Sequence, residues 1–238
     1  MTFQDRARPA PMAVIPAYNE ASTIAGVVAA VRTQGCTPVV VDDGSSDRTA
    51  ANARAAGAVV LSHPVNSGVG AALRTGFAYA VKKGATRVIQ VDGDGQHDPT
   101  AIPDLLAAAD SGHDLVIGTR FGSGGFEGHR MRRVPMRLLA ALVSRRTRTT
   151  IDDATSGFRV ISEPLLSVFA VDYPAEYLSD TVEAVLLASR RGASITQVPV
   201  EMAARSAGDP TSSVRAAGHL LRVLLAIVMS PRTTKDLQ

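Results

Sequence analysis

The chain has no tryptophan, one cysteine, and only three lysines among its 25 basic residues. Each scarcity excludes something. With aromatics at 4% there are few flat platforms for unpaired bases. Neither helix-turn-helix nor zinc-finger spacing is present, so nucleic-acid binding is not expected. Cys36 alone cannot close an intramolecular disulfide, and no Cys/His cluster has zinc-ligand spacing. A reducing compartment without a structural metal follows, with Cys36 as a small packing residue. The segment 1–11 has no apolar h-region, so no secretory signal is visible and a cytoplasmic protein is expected. The final apolar stretch is interrupted by Arg222 and falls short of the ~20 residues needed to cross a bilayer.

What is present suits one large α/β domain. The chain has 238 residues, 45% of them hydrophobic and 20% charged, with a net charge of +3. Short apolar runs alternate with helical patterns, and each run ends in polar or glycine-rich residues, the pattern of β-α units on a mostly parallel sheet. Strands are expected at 12–17, 37–42, 58–62, 87–92 and 114–119, with helices at 21–33, 47–56 and 70–83. Gly35 should stop the first helix, Asp47 should cap the second, and Asp98-Pro99 reads as an N-cap followed by proline at the first helical position. Past residue 120 the rhythm breaks. A glycine-rich loop leads to a basic helix at 130–148, then a polar segment at 152–157, a helix near 175–191, a strand at 194–200 and a final amphipathic helix at 214–229.

Ligands of open parallel sheets bind beyond the carboxyl ends of the strands. Three polar clusters sit at such ends: Tyr18-Asn19-Glu20, Asp42-Asp43, and Asp92-Gly93-Asp94-Gly95-Gln96. The glycines around Asp92 and Asp94 let both carboxylates turn toward one point, and hard oxygen ligands of this kind suit Mg²⁺ or Mn²⁺ completed by water and substrate phosphates. A capped Asp-Gly turn is the blander alternative. An EF-hand is excluded, because His97 and Pro103 stand where that loop needs glycine and glutamate. Asp42 and Asp43 would repel if buried together, so at least one should face solvent, a base or a ribose. Gly68-Val69-Gly70 is not a dinucleotide fingerprint, since Leu73 replaces the third glycine.

Seven arginines and no acid lie between Arg130 and Arg148, interleaved with Val134, Met136, Leu138, Leu139, Leu142 and Val143. This is the composition of a helix that lies on an anionic membrane, or of a solvated helix with its apolar side on the sheet.

Taken in order, Val14-Ile15-Pro16-Ala17-Tyr18-Asn19-Glu20, Val40-Val41-Asp42-Asp43-Gly44-Ser45-Ser46-Asp47, Asn66-Ser67-Gly68, Asp92-Gly93-Asp94-Gly95-Gln96-His97 and Gly118-Thr119-Arg120 resemble the successive motifs of family 2 glycosyltransferases. The resemblance is strongest to the branch that glycosylates dolichyl or polyprenyl phosphate. It implies a GT-A fold, a Rossmann-like, mostly parallel sheet flanked by helices, occupying residues 12–210 after a flexible segment 1–11. Residues 211–238 would form a helical extension packed on the same domain or at a membrane or subunit interface.

The resemblance further implies an inverting, metal-dependent hexosyl transfer from a nucleoside diphosphate sugar, UDP- or GDP-linked. Pro16, Tyr18, Glu20, Val41 and Asp43 would hold the nucleoside. Gly93 would lie along the donor, and Asp92, Asp94 and Gln96 would manage metal and diphosphate. Arg120 would sit near the phosphates or the transferred sugar, and Arg205, in a loop closing over the donor, would meet the diphosphate. The segment 153–159 is similar to the family's acceptor motif, placing Ser156 and Gly157 beside the acceptor. Arg130 and Arg133 would be cations for a lipid phosphate. Were the acceptor a saccharide or small-molecule hydroxyl, a general base would be needed, and Asp152 or Asp153 is the candidate. An inactive nucleotide-sugar-binding protein is the third reading. Peripheral membrane contact and homo-oligomerisation are compatible with all three.

Overall fold

The computed structural model describes residues 10–119, 130–174 and 180–201, with 130–138 described by backbone alone. Seven strands form one sheet: β1 (Met12–Ala17), β2 (Thr37–Asp42), β3 (Val59–Ser62), β4 (Arg87–Gln90), β5 (Leu115–Thr119), β6 (Arg159–Ser162) and β7 (Ile195–Pro199). Helices α1 (Ile24–Thr33), α2 (Thr49–Ala55), α3 (Val69–Lys82), α4 (Ile102–Asp110), α5 (Arg130–Thr147), α6 (Leu165–Asp172) and α7 (Asp180–Arg190) connect them.

The spatial order is β3-β2-β1-β4-β6-β5-β7. Neighbouring pairs among β1 to β4, and the β5–β7 pair, run parallel. β6 runs antiparallel to both β4 and β5 and separates them. Neither β6 nor α6 was expected from the sequence. β6 is four residues long, and a short apolar run inside a polar stretch carries no period by which to tell it from a turn. The expected helix at 21–33 starts at Ile24 instead, after a turn closed by the Thr23 and Ile24 N–H groups on the Glu20 carbonyl.

Helix boundaries have local causes. Gly35, at φ 72°, ends α1 by donating its N–H to the Arg32 carbonyl, as the sequence predicts. Asp98 accepts the Thr100 N–H at 2.9 Å ahead of Pro99 and a short 3₁₀ turn, from which α4 continues. Asp47 acts one residue before the N-cap position of α2, which is Arg48; it takes the Thr49 N–H (2.9 Å) and that of Ala21 (3.1 Å). Despite some desolvation, these bonds and the Thr49 hydroxyl hold its carboxyl below the ordinary carboxylate range.

Side chains alternate across the sheet. Val14 and Val41 face a core shared with Phe77 of α3, Phe169 of α6 and Val185 of α7, while Ala13, Ile15 and Val40 face one shared with Val28 of α1 and Leu105 of α4. Each fully buried Phe or Leu in these layers is worth about 1.5–3 kcal/mol relative to exposure. Gly76 lets α3 approach the sheet, since a Cβ there would lie 2.3 Å from Val14 Cγ1. Burial raises the Cys36 thiol to about 11, consistent with a packing role.

In α5, Leu139 and Val143 are buried in the first core, and the helix packs on α7. The apolar side of its described part therefore belongs to the protein interior rather than to a membrane. Among the described residues no helix is long and apolar enough to cross a membrane.

Candidate active site

The carboxyl ends of β1, β2 and β4 meet at a cleft of about 430 Å³. The loops that meet there are tied to one another. After β1, Asn19 (φ 56°) accepts the Ser46 N–H through its side chain and donates its own N–H to the Ser45 hydroxyl, both at 2.9 Å. The Glu20 N–H reaches Thr49 Oγ1 at 2.8 Å. Thr23 donates its hydroxyl to the Gly93 carbonyl at 2.8 Å, joining the first loop to the Asp92–Gln96 turn. Pro16, Tyr18, Glu20, Asp43, Asp92, Gly93 and Asp94 all line this one cleft, and Gly157 faces them. Tyr18 is 48% exposed at the cleft's edge.

Asp42 and Asp43 are both buried, which removes solvent from the expected surroundings of solvent, a base or a ribose. Hydrogen bonds offset the cost: Asp42 accepts the Ser45 N–H, and Asp43 accepts the N–H groups of Ser67 (2.9 Å) and Gly68 (2.8 Å) together with His63 Nδ1 (2.7 Å). Asp43 nonetheless borders the cleft. In the Asp92–Gln96 turn, Asp94 Oδ1 accepts the Gln96 N–H at 3.0 Å and Oδ2 the Gln96 side-chain amide. Asp92 donates its N–H to His97 Nδ1 at 3.1 Å, and the His97 ring stacks on Phe158 with centroids 5.0 Å apart. Gly157 passes so close to Asp92 that a Cβ there would lie 2.6 Å from Oδ2.

The donor set fits a hard divalent cation. Two carboxylates and an amide oxygen share one turn, while among the described residues no group of three His, Cys, Asp or Glu forms a complete cage. Such a partial set suits Mg²⁺ or Mn²⁺ whose shell is completed by water and substrate phosphate.

Several expected site residues stand elsewhere. Val41 is fully enclosed in the core under α3, because its position on β2 points it into the sheet's packed face. Asp153 is 1% exposed, does not border the cleft, and accepts the Thr155 N–H and hydroxyl, so it holds a turn rather than facing an acceptor. Ser156 is buried, its hydroxyl accepting the Phe158 N–H. Asp152 donates its backbone N–H to Gln197 at the surface. Arg120 and Arg205 lie outside the described residues, as do the side chains of Arg130 and Arg133.

The cleft also contains groups that sequence reasoning missed. Gln90, Thr155, Asp180 and Thr181 border it. Asp180 is buried at the first turn of α7, and burial raises its carboxyl to about 6, with Asp92 and Glu183 adding to the rise and the Thr181 N–H and Arg159 opposing it. Arg159, fully buried on β6 opposite Gln90 of β4, donates Nε to the Ser156 carbonyl (2.8 Å) and Nη2 to that of Ala154 (3.0 Å), which fixes the 154–157 turn under Asp92. In the sequence, Asp180 reads only as an acid near a helix start, a common complement to the helix dipole.

The model for "Glycosyl transferase family 2" matches residues 12–169. The chain belongs to this family. Its fold is accordingly GT-A, with the antiparallel β6 set into the otherwise parallel sheet. Polyprenol monophosphomannose synthase of Mycolicibacterium smegmatis is 30% identical over 215 residues, covering 83% of this chain and 78% of the relative. Dolichyl-phosphate hexose transferase of Haloferax volcanii is 30% identical over 225 residues, covering 91% and 92%. Glucosyl-3-phosphoglycerate synthase from Mycobacterium tuberculosis, solved with Mn²⁺, UDP and glucosyl-3-phosphoglycerate, superposes with a TM-score of 0.70 at 25% identity, covering 93% of this chain and 79% of that one. Family membership makes the chain a glycosyltransferase.

Proposed function

We propose that the protein transfers a sugar, with inversion, from a nucleoside diphosphate sugar to a polyprenyl phosphate. The observation that carries the donor half is the convergence of Tyr18, Glu20, Asp43, Asp92 and Asp94 on one cleft at three strand ends. The acceptor half is supported by two relatives at 30% identity whose names specify polyprenol and dolichyl phosphate products or acceptors.

In this reading Pro16, Tyr18 and Glu20 hold the nucleoside. Asp43 accepts an N–H or O–H of the base or ribose. Asp94 and Gln96, with Asp92 beside them, hold Mg²⁺ or Mn²⁺ against the diphosphate. When bound, the cation neutralises charge that develops on the departing nucleoside diphosphate. Arg205 and Arg120 add positive charge there, and Arg130 and Arg133 receive the lipid phosphate. A phosphate acceptor is already ionised and attacks the anomeric carbon directly, so no side chain need remove a proton. The chain then works at the cytoplasmic face of a membrane.

A second reading, transfer to a hydroxyl, is favoured by one observation. Asp180 is a cleft-lining carboxyl raised to about 6, which suits it for taking a proton near neutral pH. In that reading Asp180 takes the base role expected of Asp152 or Asp153.

Calorimetric titration with UDP-, GDP- and TDP-sugars, with and without Mn²⁺, tests the donor half. One donor should bind only with metal, and Asp94→Ala should abolish that binding. If no nucleotide sugar binds under either condition, the reading fails. Binding without turnover on any polyprenyl phosphate or hydroxyl acceptor would instead mark an inactive binding protein.

A further inference from the structure

His63 is the first residue beyond β3, and its backbone N–H still reaches the Asp42 carbonyl at 2.9 Å, so its imidazole is anchored to the sheet edge. The ring joins two elements. Nδ1 lies 2.7 Å from Asp43 Oδ1 and Nε2 lies 3.0 Å from the Thr75 hydroxyl on α3. A carboxylate only accepts, so Nδ1 donates to Asp43, and the same ring joins the Thr75 hydroxyl to that carboxylate.

Its end point borders the cleft, while His63 and Thr75 do not. The other donors to Asp43 are the backbone N–H groups of Ser67 and Gly68, in the turn whose Asn66 and Gly68 also border the cleft. The two backbone bonds come from the turn ahead of α3 and divide between the oxygens, Ser67 on Oδ1 and Gly68 on Oδ2. His63, just past β3, adds a side-chain bond to Oδ1 and so ties that oxygen to the sheet edge as well as to the turn.

We propose that His63, backed by Thr75, is a positioning residue for the donor's nucleobase: it aims the Asp43 carboxylate at the cleft without touching the ligand. The inference rests on the reading of Asp43 as a nucleoside contact. It assigns His63 an effect on ground-state donor binding and little effect on the transfer step, because neither His63 nor Thr75 borders the cleft.

The test compares UDP and GDP with inorganic pyrophosphate, each with Mn²⁺, on the full chain. For whichever nucleotide the wild type binds, His63→Ala should raise Kd and the donor's KM about tenfold, as expected for removing a charge-assisted hydrogen bond, while kcat and pyrophosphate affinity stay within about twofold. His63→Asn keeps an N–H donor facing Asp43 and should recover most of the loss; Thr75→Val, which removes only the hydroxyl, should cost about two- to threefold. These two milder variants carry the test if His63→Ala does not fold. Unchanged nucleotide affinity in a folded His63→Ala protein, or a parallel fall in pyrophosphate affinity, would overturn the proposal, the latter by showing general loosening of the cleft. A wild type that binds pyrophosphate with Mn²⁺ but neither nucleotide would instead remove the nucleoside reading on which it stands.

Discussion

On the side of the cleft built from β1, β2 and the turn before α3, polar side chains are held by nearby backbone groups: Asp43 by the Ser67 and Gly68 N–H groups, Asn19 by Ser46, Asp94 by Gln96. On the side built from β6 and α7, the polar groups are buried among one another. Arg159 is fully enclosed, and Asp180 is raised to about 6 by burial. Short turns hold the carboxylates of the first side in place with local hydrogen bonds. A buried acid facing a buried guanidinium has its charge set by the surroundings instead, and those come from elements far apart in sequence.

That contrast is open to measurement, and the largest expected effect lies on the second side. The raised pKa of Asp180 means that its ionisation works against the folded state. With respect to this group, stability is full below about pH 4, the unfolded value, and is lost as pH rises through about 6. Asp180→Asn should therefore stabilise the protein by up to about 3 kcal/mol at pH 8, with the gain fading toward pH 4, as read by denaturant unfolding at several pH values. Its activity on polyprenyl phosphate should stay within about tenfold of the wild type; a loss of about 100-fold or more would favour the hydroxyl acceptor and a base role.

A smaller change separates packing from site. Gly76→Ala drives a Cβ against Val14 Cγ1 and should destabilise by about 1–3 kcal/mol while leaving donor affinity intact. Loss of donor binding in a folded Gly76→Ala protein would show that the first side of the cleft is less self-contained than its local hydrogen bonds imply.

The smallest effect on folding, with a site effect nonetheless, is expected at the junction of the two sides. In Gly157→Ala the new methyl meets the end of the Asp92 side chain, which can swing away. We expect a thermal midpoint within a few degrees of the wild type and turnover down about tenfold, near 1.4 kcal/mol. Unchanged turnover would mean that Asp92 need not hold its observed position.

How much the sequence shows follows the same division. Six strands of the parallel scaffold, the Gly35 stop, the Asp98-Pro99 start and most of the donor-side carboxylates are readable because their causes are local: alternation, turn chemistry and polar residues at strand ends. The sequence could not show that Val41 turns into the core, which depends on the helices packed over β2, or that Asp153 serves its own turn, which depends on the path of the loop ahead of β6. β6 was invisible because four residues carry no period. Asp180 and Arg159, 88 and 67 positions from Asp92 in the chain, acquire their roles only in the tertiary structure, where β6 lies between β4 and β5 and α7 begins at the cleft. The sequence alone determined the family, the scaffold and the acid-rich turn at its rim. Only the tertiary structure decided that the Asp180 carboxyl is raised to about 6, because ionisation depends on burial and on neighbours that chain order does not reveal.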